Sequence, residues 1–477
     1  RVRDEFVFGV TPPEVPPYAR LSYPAADRAG ARLTVRQRER DTPREIPTSD
    51  WFWLDDRHVA LRDDSFELGA IYDFRYLARD PPVLGLGFAA VRDLVSFLRR
   101  ETRDAAGNPN PIAGASEGTG IDVALAVGVS QSGRFLRHFL ELGMNRDRRD
   151  RPVFDGMLMY VSGAGKVFAN HAFGQPARTA SQHTNRLFPE SWFPFAHSHL
   201  SDPLTGGSGG LLGGDGFDPR IIEANSSSEY WDKGASLLHT DPIGERDLEI
   251  PEGVRLFLIS GTAHMGGMLQ FAGPCVYPPN PHRPAPALRA LLVVLDAWVS
   301  EGREPPESRI PRIADGTLVA FEKLGFPRLP GGVPPPAPNG IRIAGDWVDP
   351  SPEDGPTYGA LVPAVDSDGN EVAGLRLPDL AAPRGTHTGW NTFRVPLLQG
   401  DACGRAGGYL QFARTVSDRE QTGDPRPALL ERYPTHEDYL ARVREAVDAL
   451  ERARLLLPED GRRYLERASA ASDLWEP

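Results

Sequence analysis

Gly128-Val129-Ser130-Gln131-Ser132-Gly133 separates an apolar run, Asp122 to Val129, from a stretch with helical spacing, Gly133 to Leu142. The run is rich in Val and Ala and apolar on both faces, which predicts a buried parallel strand. Phe135, Leu136, Phe139 and Leu142 share one helix face, and Gly143 and Asn145 end the helix. A sharp strand-to-helix turn of this kind exposes a serine nucleophile, provided that the residues two before and two after it are small. Gly128 and Ser132 meet that condition around Ser130. Around Ser132 the second small position would be Arg134, so Ser130 is the candidate nucleophile. The amides at the helix start favour negative charge beside it. The competing reading is a structural serine turn.

A serine hydroxyl needs a base, and in this kind of fold the acid and then the histidine follow the nucleophile in the chain. His264 is the candidate base. It sits in Gly261-Thr262-Ala263-His264-Met265-Gly266-Gly267, directly after the apolar strand Val254 to Ser260. Glu229 is the candidate acid, at the start of a helix (Glu229 to Leu238) that follows the strand Arg220 to Ala224. Its competing role is to stabilise that helix start. Asp232 and Asp241 are reserves. The oxyanion needs two N–H donors. Gln131 is one. Arg79 or Asp80, in the loop after the strand Ile71 to Ala78, is the other, because Pro81 and Pro82 have no N–H.

Outward from the turn, Gly87 to Arg100 reads as a helix, Asp155 to Val161 as a strand and Pro286 to Val299 as an apolar helix. Strands alternating with helices imply a mostly parallel sheet covered on both faces. The first 59 residues read as loops and strands, with period-two alternation at Arg32 to Arg36. Residues 166–218 lack a sustained period and read as a lid insertion. Trp192, Phe193 and Phe195 in it either line an apolar substrate pocket or pack the insertion onto the core. From about Pro305 the texture changes. A hairpin is expected between Thr357 and Pro378 around Asp366 to Gly369, and a helix over Thr435 to Leu456, capped by Thr435 and Asp438. The domain reading is a core over 1–320 and a mixed C-terminal extension over 321–477.

The chain has 477 residues and a net charge of -12, with no basic cluster interleaved with aromatics, which argues against nucleic-acid binding. No apolar run is long enough to span a membrane. Arg1 opens the chain without Met, which reads as a processed or truncated start. Cys275 and Cys403 are either unrelated thiols or a disulfide. A disulfide implies an exported protein, and free thiols fit the cytoplasm. His171, His183, His197 and His199 match no metal-ligand spacing, so neither a metal nor another cofactor is expected. Oligomeric state is unread.

Tyr76 to Pro81, Gly87 to Asp93 and Gly128 to Arg134 resemble segments of the bacterial proteins described as alpha/beta hydrolase domain-containing. So do Gln182-His183, Trp192 to Phe195, Ser228 to Trp231, Gly261 to His264, Thr388 to Asn391 and Glu431 to Tyr433. The resemblance spans roughly residues 65–470. It implies an α/β-hydrolase fold and a Ser130–Glu229–His264 triad. The functional expectation is a serine hydrolase cleaving a small carboxylic ester through an acyl-enzyme. The alternatives are an amidase or peptidase with the same triad, and a non-catalytic binding protein on the same fold.

Overall fold

The computed structural model describes residues 1–8, 17–38, 41–62, 65–113, 120–175, 190–267, 273–343, 356–394, 400–403 and 405–476. Part of the expected lid, 176–189, lies outside the described residues, and with it Gln182, His183 and Arg186 to Pro189. The N-terminal quarter folds into an antiparallel sheet of β1 (Val2–Val7), β2 (Ala25–Arg36), β3 (Arg44–Ile46) and β4 (Ile71–Ala78). Their order is β1–β4–β2–β3. Leu33, Val35, Tyr72, Phe74 and Tyr76 alternate inward and share a cluster with Trp51. β4, read from the sequence as a strand, lies outside the parallel sheet. Both edges of β4 are hydrogen-bonded to antiparallel neighbours, β1 and β2, so no edge remains for a parallel partner.

After α1 (Leu86–Arg100) comes the parallel sheet that the alternation predicted. It contains β5 (Leu125–Val129), β6 (Gly156–Tyr160), β7 (Arg220–Ser226) and β8 (Val254–Ile259), side by side in chain order and all parallel. Side chains alternate across it with period two. Met157, Met159, Ile221 and Leu256 face one layer, with Leu136, Phe139 and Leu140 of α2 (Gln131–Glu141) and Phe88 of α1. Leu158, Tyr160, Ile222, Ala224, Phe257 and Ile259 face the other. There they meet Leu291, Val294, Leu295 and Trp298, carried by an apolar helix over Ala285–Glu301. The helix expected over Glu229 to Leu238 is split. α3 (Ser227–Asp232) stops before the left-handed Gly234, and a 3₁₀ turn follows over Ala235–Leu238. The helix over Ala285–Glu301 is therefore α4.

β5 is an edge strand of the described sheet, and this departs from the fully buried strand that its composition suggested. Val127 and Val129 are 54% and 52% exposed. α4 packs over β6 and β7, and on that face of β5 Leu125 is the residue packed into the core cluster.

Past residue 320 the expected hairpin shrinks to one bridge, Val365 to Glu371, around the turn 366–369. The segments at Thr357–Tyr358 and Val362–Pro363 pair elsewhere. The capped helix is α5 (His436–Arg452), whose Thr435 hydroxyl accepts from the Asp438 amide. α6 (Pro458–Ser469) follows it, unforeseen. Tyr439, Val443, Val447 and Leu450 of α5 and Tyr464 and Ala468 of α6 join the cluster on the α4 face of the parallel sheet. The hydrophobic layer is thus continuous across residue 320.

Cys275 and Cys403 are joined by a disulfide, with Cα atoms 5.6 Å apart and a separation of 128 positions in the chain. It clips the segment that follows the His264 loop to the C-terminal region. Closing so long a loop restricts the unfolded chain, which typically contributes about 2–5 kcal/mol. Urea unfolding of Cys275→Ser/Cys403→Ser is expected to show a loss of that size. A midpoint identical to wild type would refute the contribution.

Candidate functional site

The backbone creates the site first. Ser130 has φ 56° and ψ -117°, a left-handed conformation that a non-glycine residue adopts at a cost of about 1–3 kcal/mol. Two bonds hold it there. Its amide continues the sheet by donating to the Tyr160 carbonyl at 2.8 Å, and its carbonyl starts α2 by accepting from the Arg134 amide at 3.0 Å. Strand and helix approach so closely that a Cβ on Gly128 would lie 2.6 Å from the Ser132 carbonyl oxygen. Only glycine fits there, as the spacing argument required.

The three predicted side chains are brought into one line. Ser130 Oγ is 3.0 Å from His264 Nε2, and His264 Nδ1 is 2.6 Å from Glu229 Oε1. The carboxylate can only accept, so Nδ1 carries a proton, and whenever the ring is neutral Nε2 is the lone pair that faces the hydroxyl. Glu229 is buried. Burial alone would raise its carboxyl. The charge of His264, the His264 hydrogen bond and those from Ser226 outweigh that, and hold it below the ordinary carboxylate range. An ionised carboxylate, an oriented imidazole and a strained serine can together transfer the hydroxyl proton and expose an oxygen nucleophile.

The two roles weighed for Glu229 turn out to be simultaneous. Oε2 accepts from the amide of Ser226, the residue before α3, at 3.1 Å and from its hydroxyl, while Oε1 faces His264. Ser226-x-x-Glu229 is a capping-box pattern legible in the sequence. Of the three candidate acids, Glu229 is the one hydrogen-bonded to His264 Nδ1. Asp232 is pushed up to about 6 by burial, with Lys233 opposing. Asp241 accepts from the amide of Glu245 and the guanidinium of Arg246 in its own turn.

Of the oxyanion donors, Gln131 opens α2, so its amide lies at the positive end of that helix. Arg79 is not available: its amide donates to the Pro24 carbonyl at 3.0 Å, and its guanidinium pairs with Asp56 and Asp80. Asp80 is exposed, at φ 54°, just beyond a strand that belongs to a different sheet from Ser130. The aromatic candidates divide too. Phe195 is buried at 2% exposure with its ring against Tyr358, an arrangement that fits the packing reading of the two. Trp192 and Phe193 are partly exposed, and Lys166 lies over the Trp192 ring at 4.4 Å. His197 donates into a buried cluster in which Glu223 accepts from Arg137, Ser162 and His197. Arg137 belongs to α2, so that cluster ties the helix after Ser130 to the segment that carries His197.

Several supporting residues escaped the sequence reading. The Ser228 hydroxyl accepts the His264 amide at 3.0 Å and donates to the Gly389 carbonyl at 2.6 Å. A Cβ on Gly389 would lie 2.4 Å from that of Ser227, so this contact too requires glycine. Glu371 Oε2 accepts from the Ser227 hydroxyl at 2.6 Å and the Gly261 amide at 2.8 Å. One carboxyl from the C-terminal region thereby bridges the start of the Glu229 helix and the start of the His264 loop. No local signal marks it, because its partners lie more than 100 residues away.

A sequence profile for a family described as alpha/beta hydrolase domain matches residues 51–466. The chain belongs to that family. No curated protein and no solved structure matches it. An alpha/beta hydrolase domain over this span includes Ser130, Glu229, His264 and Glu371, and so also the C-terminal elements that support the site.

Burial raises the Glu371 carboxyl to about 7, against lowering by its hydrogen bonds to Ser227 and Gly261 and by Arg376. A carboxyl raised on folding stabilises below its unfolded value and loses that contribution as pH climbs through the folded value. Between about pH 4.5 and 7 wild type therefore loses up to about 3 kcal/mol through this group, relative to a neutral isostere. Glu371→Gln is expected to match wild type near pH 5 and to exceed it near pH 8 in urea unfolding. Parallel pH profiles for the two proteins would contradict this.

Proposed function

We propose that this alpha/beta hydrolase domain is a serine-dependent carboxylic-ester hydrolase. The observation that carries the reading is the pair of distances through one imidazole, 3.0 Å from His264 Nε2 to Ser130 Oγ and 2.6 Å from Nδ1 to Glu229 Oε1. Ser130 Oγ attacks the acyl carbon as His264 Nε2 takes its proton. Glu229 holds the tautomer and balances the imidazolium that forms. The oxyanion develops beside the Gln131 amide at the start of α2. His264 then protonates the departing alkoxide, leaving an ester between Ser130 and the acyl group. Water attacks that ester, with His264 as base again, and frees the acid. The enzyme ends as it began, with one water consumed. Trp192 and Phe193 are proposed to contact the substrate.

The Cys275–Cys403 disulfide supports an oxidising compartment, hence an exported protein. Among the described residues no helix is long and apolar enough to cross a membrane.

The test is hydrolysis of p-nitrophenyl esters and the matching anilides by wild type, Ser130→Ala and Glu229→Gln. Wild type is expected to turn over esters well above anilides. Ser130→Ala should lose at least about 10³-fold in kcat, and Glu229→Gln about 10²–10⁴-fold with KM little changed. Preferential anilide cleavage would make the enzyme an amidase. Unchanged turnover in Ser130→Ala would refute the mechanism.

A further inference from the structure

A second cluster of titratable groups lies behind the His264 loop, apart from Ser130. His282, Asp379, Arg384, His387, Tyr409 and Arg467 line a cavity of about 140 Å³. This is too small for a drug-sized ligand, which needs roughly 300 Å³ or more, but it suits a small ion. The two histidines are buried, with rings 5.3 Å apart.

Their tautomers follow from their partners. His282 Nδ1 lies 3.2 Å from the Gly261 carbonyl, which can only accept, so that nitrogen carries the proton. His387 Nδ1 lies 2.9 Å from Asn280 Oδ1. The Asn280 amide nitrogen donates to the Gly261 and Thr388 carbonyls at 2.8 and 3.0 Å, so its oxygen is the acceptor and His387 Nδ1 is protonated too. Both Nε2 atoms are therefore lone pairs while the rings are neutral. His282 Nε2 is buried with no hydrogen-bond partner among the described residues. Such an atom normally finds one.

The charges around the pair are unbalanced. Arg467 pairs with Asp379 at 3.5 Å. The Arg384 guanidinium stacks over the Tyr439 ring at 5.8 Å and has no carboxylate within ion-pair range among the described residues. Among the described residues two guanidiniums thus face one carboxylate, and Tyr409 and Tyr439, both pushed up by burial, are neutral at ordinary pH. That surplus of positive charge disfavours a metal cation at the two lone pairs and favours an anion.

We propose that this cavity is a binding site for a small oxyanion of the sulfate and phosphate class, held by Arg384 and Arg467 and taken up with one proton on His282 Nε2. The proton turns the unpartnered lone pair into a donor toward the anion. Burial, first, and Arg467 keep His282 below its ordinary range, against the pull of Asp379 and the Gly261 carbonyl. Burial, His282 and Arg384 hold His387 well below it. An anion between the two arginines reverses that balance for the ring it touches. Through His282 and Asn280 the site also grips the Gly261 carbonyl, three residues before His264. The proposal assumes nothing about the chemistry at Ser130.

Sulfate is the probe, because its charge is constant over the useful pH range. Titration calorimetry on the full chain is expected to show one sulfate per chain, bound at least about tenfold more tightly at pH 6 than at pH 8. Buffers of different ionisation enthalpy should report close to one proton taken up. Arg384→Gln and, separately, Arg467→Gln should each weaken binding at least about tenfold while the circular dichroism spectrum is unchanged. Absence of binding at pH 6, pH-independent binding, or wild-type affinity in both folded variants would overturn the proposal. So would tight Zn²⁺ binding without sulfate binding, which would make the histidine pair a metal site.

Discussion

Ser130 sits in a conformation that its own side chain disfavours, and the close approach of β5 and α2 at Gly128 keeps it there. The sheet bond from its amide to Tyr160 and the helix bond from Arg134 to its carbonyl are made only while both elements stay in place. The strain is thus sustained by the burial of Leu136, Phe139 and Leu140 against Met157 and Met159. What the strain yields is position: a half-buried hydroxyl at the head of an eleven-residue helix, with the helix dipole behind it.

The other half of the site depends on the strand ends two and three places along the sheet. Ser226 ends β7 and Ile259 ends β8, and they are paired in register. Glu229 and His264 therefore emerge side by side although 35 residues separate them. Glu229 divides its oxygens between its helix cap and the imidazole, so the fold of α3 and the orientation of His264 are one interaction. Ser228, Gly389 and Glu371 then stitch both segments to the C-terminal region. The alpha/beta hydrolase match runs to residue 466, and these contacts supply a physical reason for it to extend so far past the last parallel strand.

Local chemistry made the parallel strands, the helices and the three aligned residues legible. Strand period, helix period and the small-residue rule at Gly128 and Ser132 each act within a few residues. The misreadings involve partners distant in the chain. Ile71 to Ala78 reads correctly as a strand, but nothing within it says that β1 and β2 will occupy both edges. Nor does it say that the Arg79 amide will donate to the Pro24 carbonyl. Val127 and Val129 look like core by composition and lie on an edge strand. Phe195 leaves pocket lining and packing open in the sequence, and its contact with Tyr358 lies 163 positions away. Cys275 and Cys403 left two readings open, and only their proximity decides between them.

The central claim is that Ser130 is an activated nucleophile, and covalent labelling tests it without knowledge of the substrate. A fluorophosphonate probe incubated with folded protein, followed by peptide mass spectrometry, should place one adduct on Ser130. Labelling should be abolished in Ser130→Ala and slowed in Glu229→Gln. An unlabelled Ser130 in folded wild-type protein, or an adduct on Ser132 instead, would contradict the account.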